Sequence, residues 1–457
     1  MTKEELLSKK IAFISLGCDK NTVDAERMMY LLKQFGFSFT NNLNEAQIAI
    51  INTCAFILPS KTESINKILE VLEYKNESLE KVIVTGCLAQ RNYDEVKTSM
   101  PEIDAIVRIK NNSKIVDVVC GLYGYLEPIK LKLKEPERVL STPSHYAFLK
   151  IADGCNNFCS YCTIPFIRGR FKSEPFECLI SEAKALASEG VRELILVAQD
   201  VTKYGEDLYG EPKLVELIQE LSKIKNIKWI RLHYCYPNMI TNKLLNEINN
   251  NPKVCKYLDI PLQHISTKIL QNMNRKETKE DLEALLDKIR NLSNYIAIRS
   301  TFIVGFPGET KAQVNELIEF LNKYKLDNVG FFTYSRENNT KAGKMHNQIF
   351  EFVKRHRLRK VEAVQQKIML EKQAELVGKT FDAICDSCDE KPQYQQFATN
   401  NKSGRYIYNY VFRTQYQSVG VDTIVFVRSE KLLNKGEIYK VKITGLLDID
   451  LVGEIVQ

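Results

Sequence analysis

Short apolar runs alternate with amphipathic stretches along the first 126 residues. Ile11–Leu16, Ile48–Ile51 and Val82–Val84 are unbroken enough to predict buried strands, whereas Val23–Phe35 and Glu63–Leu72 carry the helical period. Such alternation predicts a parallel sheet with helices on its faces. A polar stretch with prolines, Glu127–Pro143, then reads as a linker. Beyond it, strands are predicted at Ala147–Ile151, Glu193–Val197, Trp229–His233, Tyr257–Ile260, Ala297–Val304 and Val329–Phe332. Helical patterns intervene at Cys178–Ser188, Leu214–Lys223, Ile240–Asn249, Thr278–Leu292 and Gln313–Lys323. Six β/α units predict a partial (β/α)6 barrel with its chemistry at the C-terminal ends of the strands. Phe350–Val377 is a long charged helix without glycine. Past Gly378, short β-prone runs at Phe381–Ile384, Arg405–Phe412, Thr423–Val427, Ile438–Thr444 and Leu451–Ile455 predict a small antiparallel β-barrel.

The chain therefore divides into an open parallel α/β domain (1–126), a linker (127–143), the barrel with its trailing helix (144–377) and a β domain (378–457). Its 457 residues allow several real cores, and 44% hydrophobic with 26% charged residues is ordinary for a globular protein. No apolar run approaches the roughly 18 residues of a membrane span. Met1–Lys10 lacks a signal-peptide core, so a cytoplasmic location is expected, where thiols stay reduced. Twelve cysteines then read as ligands or small buried hydrophobes. The net charge of +7 is too mild to indicate nucleic acid by itself. Ten basic and ten acidic residues leave 378–457 neutral, and much of the excess lies in Lys354–Lys360, for which a solvated helix face is the plainer reading.

Six of the cysteines form two sets of three. Cys155, Cys159 and Cys162 are compact, in GCNNFCSYCTIP, on a loop after the first barrel strand. Cys18, Cys54 and Cys87 are dispersed, yet each follows one of the three N-terminal strands. Sites in open α/β sheets form beyond the carboxyl ends of strands, so these three should meet. Iron–sulfur cubanes take four thiolates. A set of three leaves one iron free to bind something else, and two such sets suggest two clusters that each do chemistry.

With these residues in place, the chain resembles the radical-SAM methylthiotransferases. The C-x3-C-x2-C loop, with Tyr161 before its last cysteine, is similar to the radical-SAM signature, and LGCDKN, NTCAF and TGCLAQR resemble the family's three N-terminal cysteine blocks. Domain order also matches, ending in a TRAM-like domain. Within the family, SLGCDKNTVDAE, HYAFLKIADGCNNFC, LVAQDVTKYGEDLYG, RLHYCYP, YLDIPLQHIS, RSTFIVGFPGET and ITGLLDIDLVGE are most similar to the branch that modifies an aspartate of small-subunit ribosomal protein twelve.

The resemblance implies two 4Fe-4S clusters and S-adenosylmethionine. Cys155, Cys159 and Cys162 would hold the cluster that binds S-adenosylmethionine, and Cys18, Cys54 and Cys87 the one that carries the donated sulfur. One S-adenosylmethionine would give the methyl group and a second the radical that opens the aspartate β-carbon. Gln199 and Asp200 would hold the methionyl amino group. Gly305 and Gly308 would let backbone approach the adenine, although a plain tight turn also explains them. The expected partners are the ribosomal protein, free or on the small subunit, and a one-electron donor such as flavodoxin or ferredoxin, with no membrane.

Asp19, Lys20 and Asn21 would shape the cavity beside Cys18, although a helix N-cap is the simpler role for Asn21 or Thr22. His233 and His264, near strand ends, read as structural histidines. Cys385-x-x-Cys388 reads as an incidental pair, having no second half of a zinc site nearby. Two features depart from the family: Glu174 stands where an arginine is usual, and Gln417–Asp422 replaces an acidic turn of the TRAM-like domain. Two rival readings stand beside this one. The first is methylthiolation of a tRNA adenosine, which the neutral C-terminal segment disfavours. The second is a non-catalytic iron–sulfur protein, which the open coordination positions disfavour.

Overall fold

Five parallel strands form the N-terminal sheet of the computed structural model, which describes residues 1–75, 77–125, 127–129, 138–337, 339–389 and 408–456. They are β1 (Lys10–Ser15), β2 (Ser38–Phe39), β3 (Ile48–Thr53), β4 (Lys81–Gly86) and β5 (Ala105–Val107), in the order β2-β1-β3-β4-β5. β3 is central and buried at every position, which is why its sequence, IAIINT, is a continuous run and not an alternation. Helices Asp19–Phe35 and Ile115–Leu122 pack on one face of the sheet, and Leu58–Leu72 and Cys87–Arg91 on the other. The two edge strands escape a sequence reading because two or three residues carry no period.

The barrel strands are β6 (Tyr146–Lys150), β9 (Glu193–Val197), β10 (Trp229–Leu232), β11 (Tyr257–Asp259), β12 (Ala297–Val304) and β13 (Asn328–Thr333). β7 (Ala152–Asp153) and β8 (Lys172–Ser173) form a small ribbon flanking the C-x3-C-x2-C loop. β6, β9 and β10 make one parallel sheet and β11, β12 and β13 another. A bridge between Ile230 and Val254 joins them. All six predicted strands are present, and the arc is left open on its inner side. Leu194, Leu196, Ile230, Leu232, Leu258 and Ile298 face the helices in one large core. The alternate positions Glu193, Arg231, Tyr257 and Arg299 face inward and meet other domains.

Past the trailing helix Glu351–Ala374, five strands close a barrel in the order β14-β15-β16-β18-β17. They are β14 (Thr380–Asp389), β15 (Tyr408–Thr414), β16 (Val425–Ser429), β17 (Ile438–Leu447) and β18 (Asp450–Ile455). The expected all-antiparallel pairing needs one correction: β16 runs parallel to β18, and that pairing lets five strands close. Residues 405–407 of the predicted third-domain strand lie outside the described residues, as does linker segment 130–137.

Ion pairs dock both outer domains on the central barrel. Arg413 Nη2 lies 2.8 Å from Glu193, whose other oxygen accepts from Arg231 Nε at 2.7 Å. Burial would raise the Glu193 carboxyl, but the two guanidiniums outweigh it and hold it at about 2. On the N-terminal side, Arg27 reaches Glu174 at 3.1 Å and Glu182 at 3.3 Å. The acid at the departing position thus has its counter-charge in another domain. Arg138, within the linker, is buried within 3.5 Å of Glu26 and 3.4 Å of Glu182. Hydrophobic patterning identifies cores but not such charged partners.

Candidate functional site

Cys54 directly follows β3, Cys87 directly follows β4, and Cys18 caps the helix that leaves β1. Two glycines draw these strand ends together. Gly17 has φ +96°, and a Cβ there would lie 2.9 Å from the Cys54 Cβ and 3.2 Å from its Sγ. Gly86 has φ +90°, and a Cβ would meet the Thr53 carbonyl oxygen at 2.4 Å. Only glycine allows both the conformation and the approach. Asn21 completes the convergence: its Nδ2 donates to the Leu16 and Thr53 carbonyls at 2.9 Å, and its Oδ1 accepts from the Cys87 thiol at 3.7 Å. The N-cap reading of Asn21 is therefore corrected. Cys18 occupies that position without a side-chain cap, and the Asn21 side chain ties the three strand ends. Cys54 and Cys87 are buried, whereas Cys18 is partly exposed.

The second set sits on one loop. Gly154, φ +75°, sits so close to Arg170 that a Cβ would be 2.2 Å from its carbonyl oxygen. The Asn157 and Ile164 amides donate to the Cys155 and Cys162 sulfurs at 3.4 and 3.5 Å. Outside the loop, Ser160 bonds the carbonyls of Asn272 and Met273. Asn274 Nδ2 donates to Asn157 and Phe158. Tyr161 packs on the apolar cluster that contains Phe306 and Tyr334, so the cysteine loop and the Gly305–Gly308 loop share a wall.

Both trios fit a group that supplies positive charge to thiolates. Burial, reinforced by the neighbouring cysteines, pushes Cys155 up to about 11 and Cys162 higher still. Burial likewise raises Cys54, and raises Cys87 to about 12 although Arg168 opposes it. Thiols raised by burial and by one another's charge ionise together only beside a cation, and iron provides one. Among the described residues, no three His, Cys, Asp or Glu side chains close on a point as they would around a single ion. Cys385 and Cys388 lie in and against the core of the third-domain barrel.

Gln199 follows β9, and its Nε2 donates to Asp153 at 3.1 Å while its buried Oε1 has no protein partner. That orphaned acceptor is what a bound ammonium group would satisfy. Asp200 points elsewhere. It accepts from Thr202 and from Asn157 Nδ2, at 3.0 Å, and so braces the cysteine loop. Gly305 and Gly308 have φ of +76° and +83°, but the space a Cβ would take is already filled by Lys354 and Asn347. Packing alone explains these glycines. Sequence reading missed Glu309, whose carboxylate accepts from the Gly305 amide at 3.0 Å and from Arg357 at 2.7 Å.

His233 bridges three domains. Its Nε2 lies 2.7 Å from Ser418 Oγ and its Nδ1 3.4 Å from Asp19. Burial would raise Asp19, but His233 and Lys20 hold it at about 2. Tyr234 OH also donates to Asp19, and Lys20 lies 3.5 Å over the Tyr234 ring. Asp19 and Lys20 thus join Cys18 to the barrel's strand ends. The divergent Gln417–Asp422 turn docks there too, with Asp422 accepting from Tyr257 OH at 2.7 Å. His264 is buried, and its Nδ1 accepts from the Ser266 amide.

Residues 10–108 match the uncharacterized protein family UPF0004, residues 149–321 the radical SAM superfamily and residues 377–456 the TRAM domain. The chain is 42% identical to the ribosomal protein uS12 methylthiotransferase RimO of Acetivibrio thermocellus, covering 98% of this chain and 99% of that one. It is 45% identical to the RimO of Clostridium botulinum strain Eklund 17B, covering 97% of each. The fold is similar to that of TsrM from Kitasatospora setae, a radical S-adenosylmethionine methyltransferase, with a TM-score of 0.55. The identity there is 13%, over 83% of this chain and 79% of that one.

Proposed function

Because the chain belongs to the RimO family of ribosomal protein uS12 methylthiotransferases, we propose that it attaches a methylthio group to the β-carbon of a uS12 aspartate. Cys155, Cys159 and Cys162 would hold one 4Fe-4S cluster with S-adenosylmethionine, and Cys18, Cys54 and Cys87 the second. When bound, these groups supply radical hydrogen abstraction together with the transferred methyl and sulfur. A one-electron donor such as flavodoxin or ferredoxin would provide the reducing electron.

The chain's own residues position these parts. Gln199 Oε1 would accept from the amino group of the methionine moiety, with Asp153 fixing the amide from its other end. Asp200 holds the cysteine loop through Asn157. Tyr161, Phe306 and Tyr334 keep water from one wall. Asp19 and Lys20, clamped by His233 and Tyr234, hold the Cys18 strand end against the barrel mouth. We take the chain as divided at 126, 143 and 377, a reading supported by the separate ion pairs between each outer part and the central barrel. One observation carries this reading: separate domains bring two three-thiol sets together, and Arg168 and Asp153 link Cys87 of one set to the Gly154 amide beside Cys155 of the other.

The protein substrate is favoured over tRNA because the third domain, with ten basic and ten acidic residues, offers phosphate no net attraction. Arg413, Asp386 and Asp422 are engaged at its base, and Tyr410, a candidate for stacking on bases, is 1% exposed in the barrel core. Of the other tyrosines in the sequence Tyr406-Ile407-Tyr408-Asn409-Tyr410, Tyr408 packs against the barrel core and Tyr406 lies outside the described residues. The test is reaction of the reduced, reconstituted enzyme with S-adenosylmethionine and either uS12 or tRNA. Mass gain on a uS12 aspartate is expected. Methylthiolated tRNA with uS12 unmodified would overturn the reading.

A further inference from the structure

Arg168 lies six residues beyond the last cysteine of the compact set, on a short helical turn after Pro165, and its side chain is 1% exposed. It points away from that set and into the N-terminal domain. Nη2 donates to Asn21 Oδ1 at 2.7 Å and lies 3.9 Å from Cys87 Sγ. Nη1 donates to Asp24 at 3.0 Å and to Asp153 at 2.8 Å. The two aspartates are shared with Lys150, which pairs with Asp24 and sits 3.2 Å from Asp153. Two cations and two carboxylates therefore balance. The guanidinium edge turned to Cys87 is the one positive group in hydrogen-bond contact with a thiol of the dispersed set among the described residues. From Asp153 the contacts continue to Gln199, so three contacts lead from Cys87 through Arg168 to the opposite site.

We propose that Arg168 is a positioning residue for the second cluster: its guanidinium donates to the Cys87 thiolate and raises that cluster's reduction potential. The inference rests on the two-cluster reading above. Donors and positive charge at a ligand sulfur stabilise the more negative, reduced state of a cluster. A lysine would keep the charge but has no planar fork to bond Asn21, Asp24, Asp153 and Cys87 at once. The compact loop is held differently: its sulfurs accept from the backbone amides of Asn157 and Ile164, and Cys159 is bonded by the Tyr161 hydroxyl, with the buried Arg275 guanidinium acting on it through charge alone.

The experiment is EPR-monitored redox titration of the full-length, cluster-loaded protein with Arg168, Arg168→Gln or Arg168→Lys. Signals are assigned with the two triple cysteine-to-alanine variants. Arg168→Gln should move the midpoint of the N-terminal cluster to more negative potential and leave the barrel cluster where it was. Arg168→Lys should move it less. An unchanged N-terminal midpoint in a doubly loaded Arg168→Gln protein overturns the proposal, as does an equal shift of both midpoints. If the glutamine variant keeps only its barrel cluster, Arg168→Lys decides. A loaded lysine variant with a negative shift supports the proposal, whereas an unchanged midpoint or loss of the cluster in both variants overturns it. A wild-type protein that holds only the barrel cluster would instead refute the two-cluster reading on which the proposal stands.

Discussion

Cys155, Cys159 and Cys162 occupy one loop, oriented by its own amides and pinned by residues 272–274. Cys18, Cys54 and Cys87 come from three strand ends and meet only because β1, β3 and β4 are neighbours and two glycines let the ends touch. The compact set is a property of local sequence, whereas the dispersed set is a property of a folded sheet. The difference has a thermodynamic side. Loop closure within eight residues costs little entropy, while assembling three segments is affordable only after the sheet has formed. Damage to the N-terminal sheet should therefore remove one site and spare the other.

The largest effect expected is a clean separation of functions. Alanine at Cys155, Cys159 or Cys162 should abolish reductive cleavage of S-adenosylmethionine, read as loss of 5′-deoxyadenosine by chromatography. Alanine at Cys18, Cys54 or Cys87 should leave much of that cleavage and abolish the methylthio product, read by mass spectrometry. Normal product from Cys87→Ala would break the comparison.

Next come the glycines. Gly86→Ala forces a non-glycine residue to φ +90° and places its Cβ 2.4 Å from a carbonyl oxygen. With ψ at −158°, that conformation is essentially open to glycine alone and costs another residue roughly 1–3 kcal/mol, to which the clash adds. The variant should lose the N-terminal cluster and keep the barrel cluster, while Gly154→Ala should do the reverse. Iron content should fall by half in each, with different cysteines left open to alkylation.

A third prediction concerns acid. Glu193 is held at about 2, below its ordinary value, by two guanidiniums at the contact between barrel and third domain. A depressed carboxyl stabilises the fold above its unfolded-state value and loses that contribution as pH falls through its folded value. The shift corresponds to about 3 kcal/mol. Thermal melts should show wild type losing stability between about pH 4.5 and pH 2, and Glu193→Gln, already weakened at pH 6, should lose less. Parallel curves for the two proteins would contradict this.

The smallest effect is expected at Cys388. It packs against the apolar core of the third domain, so Cys388→Ser should leave iron content and product yield unchanged. Lost iron would make it a ligand and spoil the count of six.

Much of this was legible in the sequence, for reasons that differ by element. β3, β4 and β9 are apolar runs buried at nearly every position, and burial on both faces writes itself into sequence directly, whereas β12 was legible from its apolar ends around a polar centre. Convergence of Cys18, Cys54 and Cys87 followed from where a parallel sheet puts its strand ends. The charged contacts were not legible: Arg168 to Asn21, Arg27 to Glu174 and Arg138 to Glu26 each pair residues more than a hundred positions apart. No periodicity encodes such a pairing. Asn21 misled for a related reason, since its position suits an N-cap and only the neighbouring strands reveal its bonds to Leu16 and Thr53. The parallel pairing of β16 with β18 was hidden because strand spacing does not state strand direction.

The central claim, that this chain builds two separate three-thiolate sites, is tested most directly by counting. Iron and sulfide per chain should be measured after anaerobic reconstitution of the wild type and of the two triple cysteine-to-alanine variants. Two cubane clusters predict about eight irons in the wild type and about four in each variant. About four in the wild type, with one triple variant unchanged and the other empty, would contradict it.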